Sequence, residues 1–187
     1  PPVVFPAGER RRILRAAHEL VQHGLCHPVL LGEREIIEKH ADELKIPLDG
    51  LKLIDPKKSD EAGSYATAYY GLRHRRGVTP RSSSMAMQDP ILYGMMMVRT
   101  GDADGLVAGV SMNYPDTIRP ALQIIGLKQG RKVTAGMYMI LQKERTLFFA
   151  DTTVNIDPDP ETLAEIALMT AEEVRRFDVE PRIAMLS

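Results

Sequence analysis

Arginine is the residue type with which this sequence could do chemistry. Arg119 stands in "VSMNYPDTIRPALQIIG" (Val110 to Gly126), and Arg73, Arg75 and Arg76 stand in "RHRRG" (Arg73 to Gly77). A guanidinium is a permanent cation whose planar fork of donors matches the oxygens of a phosphate or carboxylate two at a time. From Thr117 onward the first stretch has helical spacing: Asp116 and Thr117 are capping types, and Ile118, Leu122 and Ile125 form an apolar stripe that Gly126 ends. Pro120 then belongs in the first turn, whose N–H groups have no intrahelical partner. Arg119 would sit at the positive end of the helix dipole, a poor place for a cation unless an anion binds there and meets the helix amides and the arginine together. The plainer alternative is a salt bridge back to Asp116, worth little if exposed. "RHRRG" ends a helical pattern, where the dipole favours cations, so it reads either as a solvated helix end or as a phosphate clamp.

Other reactive residue types form weaker patterns. "GDADG" (Gly101 to Gly105) places two carboxylates on a tight turn, either closing that turn or standing at a cleft rim. It lacks the ligand spacing of a hard-cation loop, so no metal site is expected. His18 and His23 are five apart and share no helix face, while Cys26 and His27 fall in the following turn, so this group reads as a helix end rather than a ligand set. "MMM" (Met95 to Met97) reads as core packing. "SSSM" (Ser82 to Met85) offers hydroxyls without a partnered histidine, and neither GxxxxGK[ST] nor GxGxxG occurs. "DTTVNIDPDP" (Asp151 to Pro160) gathers hydroxyls, an amide and acids between a strand and a helix, a ligand loop or a set of closed turns.

These residues need elements to hold them. "VVF", a helix over Glu9 to His23, "PVLLG", a helix over Glu33 to Leu44 and "LKLID" alternate in the order of an α/β domain with a parallel sheet. Helices over Asp60 to His74 and Pro90 to Arg99, and a buried strand over Ala103 to Val110, lead to the Arg119 helix. After "LKQGRK" the pattern changes: strands over Lys132 to Leu141 and Thr146 to Asp151, a helix over Pro160 to Phe177 capped by Asp159, and a strand "RIAMLS". A first subdomain over 1–128 and the start of a second, truncated one over 129–187 are expected. With 24 basic and 25 acidic residues, a net charge of -1 and 5% aromatics, bulk-charge or stacking recognition of nucleic acid is not expected. No apolar run is long enough for a membrane span and there is one cysteine, so a cytoplasmic location with no membrane partner is expected.

"VVFPAGERRRILRAA", "YYGLRHRRGVTP", "MMVRTGDADGLVAGV", "YPDTIRPALQIIG" and "DPETLAEIA", in this order, resemble the phosphate acetyltransferase/butyryltransferase family over essentially the whole chain. Within it, "MNYPDTIRPALQIIG", "FFADTTVNIDPDPETLAEIA" and "AEEVRRFDVEPRIAMLS" are most similar to the phosphotransacetylase-like C-terminal domain of bacterial NADP-dependent malic enzymes. The resemblance implies a three-layer α/β/α fold with a mainly parallel sheet, related to isocitrate dehydrogenase, with a cleft between two subdomains of which the second is incomplete here. It implies binding of acetyl-CoA or another acyl-CoA, and of phosphate or acyl phosphate, in a homo-oligomer. Two family arginines serving phosphate and carbonyl fall on Arg73 and Arg119, and Ser111, Tyr114, Thr117, Thr152 and Thr153 join them as phosphate and acetyl-CoA contacts. The family's catalytic base lies in a late segment beyond Ser187, so no catalytic residue is assigned and this piece alone is expected to be inactive.

Two departures bear on function: "FPAGE" replaces the more usual "FPEGE", and Tyr114-Pro115 replaces small polar residues beside Arg119. The reading placed first is a regulatory acetyl-CoA module of a malic enzyme, with NADP and a divalent metal confined to an absent malate-oxidising part. An active phosphate acetyltransferase is placed second.

Overall fold

Short apolar runs alternate with amphipathic ones from the N-terminus, and the computed structural model, which describes residues 1–110 and 112–186, converts them into alternating strands and helices. They are β1 (Pro2–Phe5), α1 (Arg11–Gln22), β2 (His27–Leu31), α2 (Arg34–Leu44) and β3 (Lys52–Ile54). There follow α3 (Ala62–Arg73), a single 3-10 turn (His74–Arg76), α4 (Pro80–Ala86), α5 (Pro90–Thr100), β4 (Gly105–Leu106) and α6 (Tyr114–Ile124). These belong to one compact unit, Pro1–Gly126, and the remaining residues to a second, Leu127–Ser187.

The first unit is built on a parallel sheet of order β3-β2-β1-β4. Side chains alternate across a strand. Val4, Val29 and Leu31 therefore face one layer, where they pack with Tyr65 and Tyr69 of α3, Ile91 and Met96 of α5 and Ile124 of α6. Phe5 and Leu30 face the other, against Ile13, Leu14 and Ala17 of α1 and Ile37 and Ala41 of α2. Burying a side chain such as Leu30 or Ile37, both 0% exposed, is worth about 1.5–3 kcal/mol. The result is the expected α/β layering, with helices on both faces of the sheet. Gly94 lets α5 lie close to it: a Cβ there would come within 2.8 Å of Leu106 Cδ1 and 3.0 Å of Val4 Cγ1. Met95, Met96 and Met97 are buried, as core packing requires.

Several elements differ from their expected form. The strand over Ala103 to Val110 shrinks to the two residues of β4, which lies at the sheet edge with β1 as its only neighbour among the described residues, and the chain turns away at Gly109, φ 123°. The serines of "SSSM" lie on α4, which was not expected. Thr79 caps it, accepting from Ser82 N at 3.1 Å, while Ser82 Oγ accepts from Thr79 N at 2.9 Å. α6 starts at Tyr114 with Asn113 as its cap, so Asp116 and Thr117 are not caps and Pro120 lies inside the helix rather than in its first turn. Pro115 fits the first turn, where its missing N–H costs nothing, and it sets the earlier start.

The second unit pairs β5 (Met137–Leu141) with β6 (Thr146–Ala150) as an antiparallel hairpin and adds α7 (Pro160–Arg175). Asp159 caps α7 by accepting from Thr162 N at 2.7 Å. Residues 181–186 form no strand, because among the described residues none pairs with them. Among the described residues no helix is long and apolar enough to cross a membrane.

Candidate functional site

α3 ends on Arg73, and the 3-10 turn carries the chain on through Arg76 to Gly77, whose φ of 89° suits glycine and reverses the direction. The turn is closed by its own backbone: Gly77 N donates to His74 O at 3.1 Å and Val78 N to Arg73 O at 3.4 Å. Opposite lies one stripe of α6, Pro115, Ile118, Arg119, Leu122 and Gln123, spaced as one helix face. Between them is a concavity of about 400 Å3 lined by Arg73, Arg76 and this stripe. Ile118 and Leu122 of the apolar stripe line the concavity, with Leu122 41% exposed. The core contact of α6 is Ile124.

The electrostatics favour an anion. Three guanidiniums line the concavity and, among the described residues, no carboxylate does. Among the described residues none of the three forms an ion pair, so the salt bridge from Arg119 to Asp116 is not made. Arg73 Nε is buried and has no hydrogen-bond partner. A buried N–H left unmade costs about 1–3 kcal/mol, so the fold does not itself satisfy this side chain. Arg119 is in the second turn of α6, beyond the helix N-terminal amides, and lines the concavity together with Arg73 and Arg76.

The other expected contacts are scattered. Tyr114 and Thr117 lie on α6 but do not line this concavity, although Thr117 Oγ1 is buried without a partner. Ser111 lies outside the described residues. Thr152 and Thr153 belong to the second unit, in the loop after β6, where Thr152 Oγ1 is also buried and unpartnered.

That loop is organised by Asp151. Its Oδ1 accepts from Gly136 N at 2.7 Å, Thr153 N at 3.2 Å and Val154 N at 3.3 Å. Its Oδ2 accepts from Asn155 N and Asn155 Nδ2, both at 2.6 Å. Burial alone would raise this carboxyl, but the donors from Gly136, Asn155 and Thr153 outweigh it and bring it down to about 2. Of the two readings of "DTTVNIDPDP", the turn-closing one describes Asp151 and Asn155.

In the first unit Asp102 Oδ2 accepts from Thr100 Oγ1 at 2.5 Å and from Tyr65 at 2.7 Å, which lowers its pKa. Burial first, and then this carboxylate, pushes the Tyr65 phenol up. "GDADG" thus ties α3 to the end of α5, with Gly101 as the left-handed cap.

A second concavity, about 540 Å3, lies at the carboxyl edge of the sheet, where α1 and the chain after β4 diverge. Glu9, Arg10, Arg11, Arg12, His40 and Val110 are among its lining residues. Part of its charge is neutralised, since Arg11 pairs with Glu43. Sequence reasoning missed Gln123 of the first concavity and did not separate Arg76 from the rest of the "RHRRG" run. The signal for Arg76 was its spacing of three from Arg73, which acquires meaning only with the 3-10 turn.

The family described as phosphate acetyl/butaryl transferase matches residues 1–187. The chain is 40% identical over 187 residues to a phosphate acetyltransferase of Synechocystis, covering 99% of this chain and 27% of that protein. It is 36% identical over 189 residues to an NADP-dependent malic enzyme of Escherichia coli, covering 99% of this chain and 25% of the enzyme. Its fold is similar to a phosphotransacetylase from Streptococcus pyogenes, with a TM-score of 0.94 and 36% identity over 100% of this chain and 57% of that one. The chain therefore spans about a quarter of the two relatives and a little over half of the solved structure.

Proposed function

The chain belongs to the phosphate acetyl/butaryl transferase family, and from that membership we propose that its first unit handles the phosphate in an acyl transfer between an acyl-CoA and inorganic phosphate. In the direction of acyl phosphate synthesis, a phosphate oxygen attacks the thioester carbonyl, the carbon–sulfur bond breaks, and the CoA thiolate leaves and takes up a proton. Arg73 and Arg119 neutralise the phosphate and the charge that develops on the carbonyl oxygen. The observation that carries this reading is that both line a concavity with no carboxylate among its described lining residues, and that one of them has an unpartnered buried N–H.

The test is acetyl phosphate formation from acetyl-CoA and phosphate by the full-length protein. Arg119→Ala and Arg73→Ala are each expected to lower kcat/KM by about 10²-fold or more, as removal of a charge-stabilising donor does. Unchanged turnover in both would overturn the assignment.

The regulatory malic-enzyme reading, first on sequence alone, takes second place, since the acetyltransferase relative is the more similar of the two. Its support is the malic enzyme's match to 99% of this chain. Under it the same arginines hold acetyl-CoA as an effector, and NADP and a divalent metal serve a malate-oxidising part. Malate-dependent NADP reduction that falls as acetyl-CoA is added would support it, and absence of such reduction would remove it.

A further inference from the structure

Oδ2 of Asp55, the residue that follows β3, is buried and has no hydrogen-bond partner. We infer that it marks a binding site for a small organic cation, a primary amine carried on a short aliphatic chain. This site shares no lining residue with the arginine concavity and does not rest on the acyl-transfer reading.

Asp55 stands at the carboxyl edge of the parallel sheet, the side on which open α/β folds take their ligands. Its side chain is only 8% exposed. Oδ1 has a structural task, accepting from Lys57 N at 3.0 Å to close the turn after the strand. Oδ2 has none: Lys58 Nζ stops 3.7 Å away, past hydrogen-bond range, on a side chain that is largely in solvent. A buried carboxylate oxygen without a donor carries a desolvation cost that a donor from outside removes.

The surroundings define that donor. A concavity of about 330 Å3 opens beside Asp55, within the size range of small-ligand sites. Glu35, Asp60 and Glu61 line it with Asp55, against Arg34 and Lys58. Arg34 is already paired with Glu38 at 2.8 Å, so the balance is negative and a cation is favoured. A metal ion is a poor match. A hard cation takes about six or more oxygens, and among the described residues no group of three or more His, Cys, Asp or Glu side chains is placed to hold one. Leu53 and Ile54, both half-buried, also line the concavity and offer apolar surface to methylene groups. An ammonium on an aliphatic chain meets all of these conditions. Its N–H donates to Asp55 Oδ2 in a charge-assisted bond, the chain covers Leu53 and Ile54, and a second ammonium answers the exposed acids.

The experiment is calorimetric titration of the full-length protein with putrescine, spermidine, tetramethylammonium and magnesium ion, repeated on Asp55→Asn, Lys58→Met and Asp42→Asn. The natural protein is expected to bind the two amines about 10-fold or more tightly than tetramethylammonium, which has the charge but no N–H to donate. Asp55→Asn keeps an acceptor for Lys57 N, so the turn holds, and should weaken both amines by about 10-fold or more. Lys58→Met removes the ammonium that competes for Oδ2 and should tighten both by about two- to fivefold. Asp42→Asn removes the same charge further along α2, outside the concavity, and should leave every affinity within about twofold.

Absence of amine binding at millimolar concentration would overturn the inference, as would an unchanged affinity in Asp55→Asn or no gain in Lys58→Met. Equal weakening in Asp55→Asn and Asp42→Asn would mean bulk charge and would overturn it too. So would tetramethylammonium or magnesium binding as tightly as the amines, since the site would then read charge alone.

Discussion

Arg73 joins position and chemistry in one side chain. Its charge ends α3 where the dipole favours a cation, and its buried Nε lacks a partner. Arg73→Lys keeps the charge but loses the fork, so phosphate affinity should fall by roughly 5–10-fold, while the unfolding midpoint should not fall, because the unpartnered buried N–H is removed as well. Titration calorimetry and thermal unfolding read the two effects separately. Asp151 shows the complementary case of a charge used for structure. Its folded value of about 2 lies below the ordinary 3.8, so its stabilisation is complete above about pH 4 and fades as the pH falls toward 2. After allowance for solvent screening this is about 1–2 kcal/mol. Asp151→Asn should destabilise the protein at pH 7 and flatten the acid limb of its stability profile, followed by urea unfolding between pH 2 and 7. At this scale residue type and helix position singled out Arg119 and the "RHRRG" run as anion-binding candidates, and the resemblance of "GLRHRRG" and "DTIRPAL" to family motifs narrowed that run to Arg73. Residue types alone left Asp151 undecided between ligand loop and turn, because its five donors come from backbone and side-chain groups that a linear pattern does not arrange.

At the level of elements, α6 is the least ideal and the most consequential. Pro120 removes one intrahelical hydrogen bond one residue after Arg119. Pro120→Ala should restore it and raise stability by about 1–2 kcal/mol, the helix gain less the unfolded-state entropy that proline had removed. The far end of α6 is fixed from α5, where Arg99 Nη1 donates to Ile124 O and Ile125 O at 3.2 Å each. Arg99→Gln should let that end fray, seen as faster amide exchange at the last turn of α6 and weaker phosphate binding at Arg119. Gly94→Ala, by contrast, forces a methyl group against Leu106 and Val4 and should cost about 1–3 kcal/mol throughout the first unit. The order β1-α1-β2-α2-β3 was legible because each element carries its own period of apolar residues. α4 was hidden because three consecutive serines show no such period, and its fixing contact, Ser83 Oγ donating to Ala66 O, comes from another helix. The start of α6 was misplaced because two prolines compete for a first turn and only one can occupy it.

For the whole molecule, the two layers of buried side chains that hold the parallel sheet are drawn entirely from residues up to Ile124. Residues 1–126 expressed alone should therefore unfold cooperatively in urea and retain phosphate binding at Arg73 and Arg119. Among the described residues, 127–186 have a hairpin, one helix and a short set of buried residues, Ile166, Ala171 and Val174, while Tyr138, Leu141, Phe149 and Leu168 stand exposed. A two-stranded sheet with so little cover is marginal, so this piece alone should show no cooperative transition and should associate at micromolar concentration, as light scattering would detect. The parallel sheet also imposes an order on biosynthesis. β1 finds β2 within about 25 residues of chain, but its other edge waits for Gly105 and Leu106, about a hundred residues later. At roughly 5–20 residues per second of synthesis, that is on the order of 5–20 s in which a growing polypeptide exposes an unpaired edge beside Val3 and Val4. For a nascent chain, then, β1 is made before the other three strands of its sheet, and it gains its second neighbour only when "DGLV" has left the ribosome.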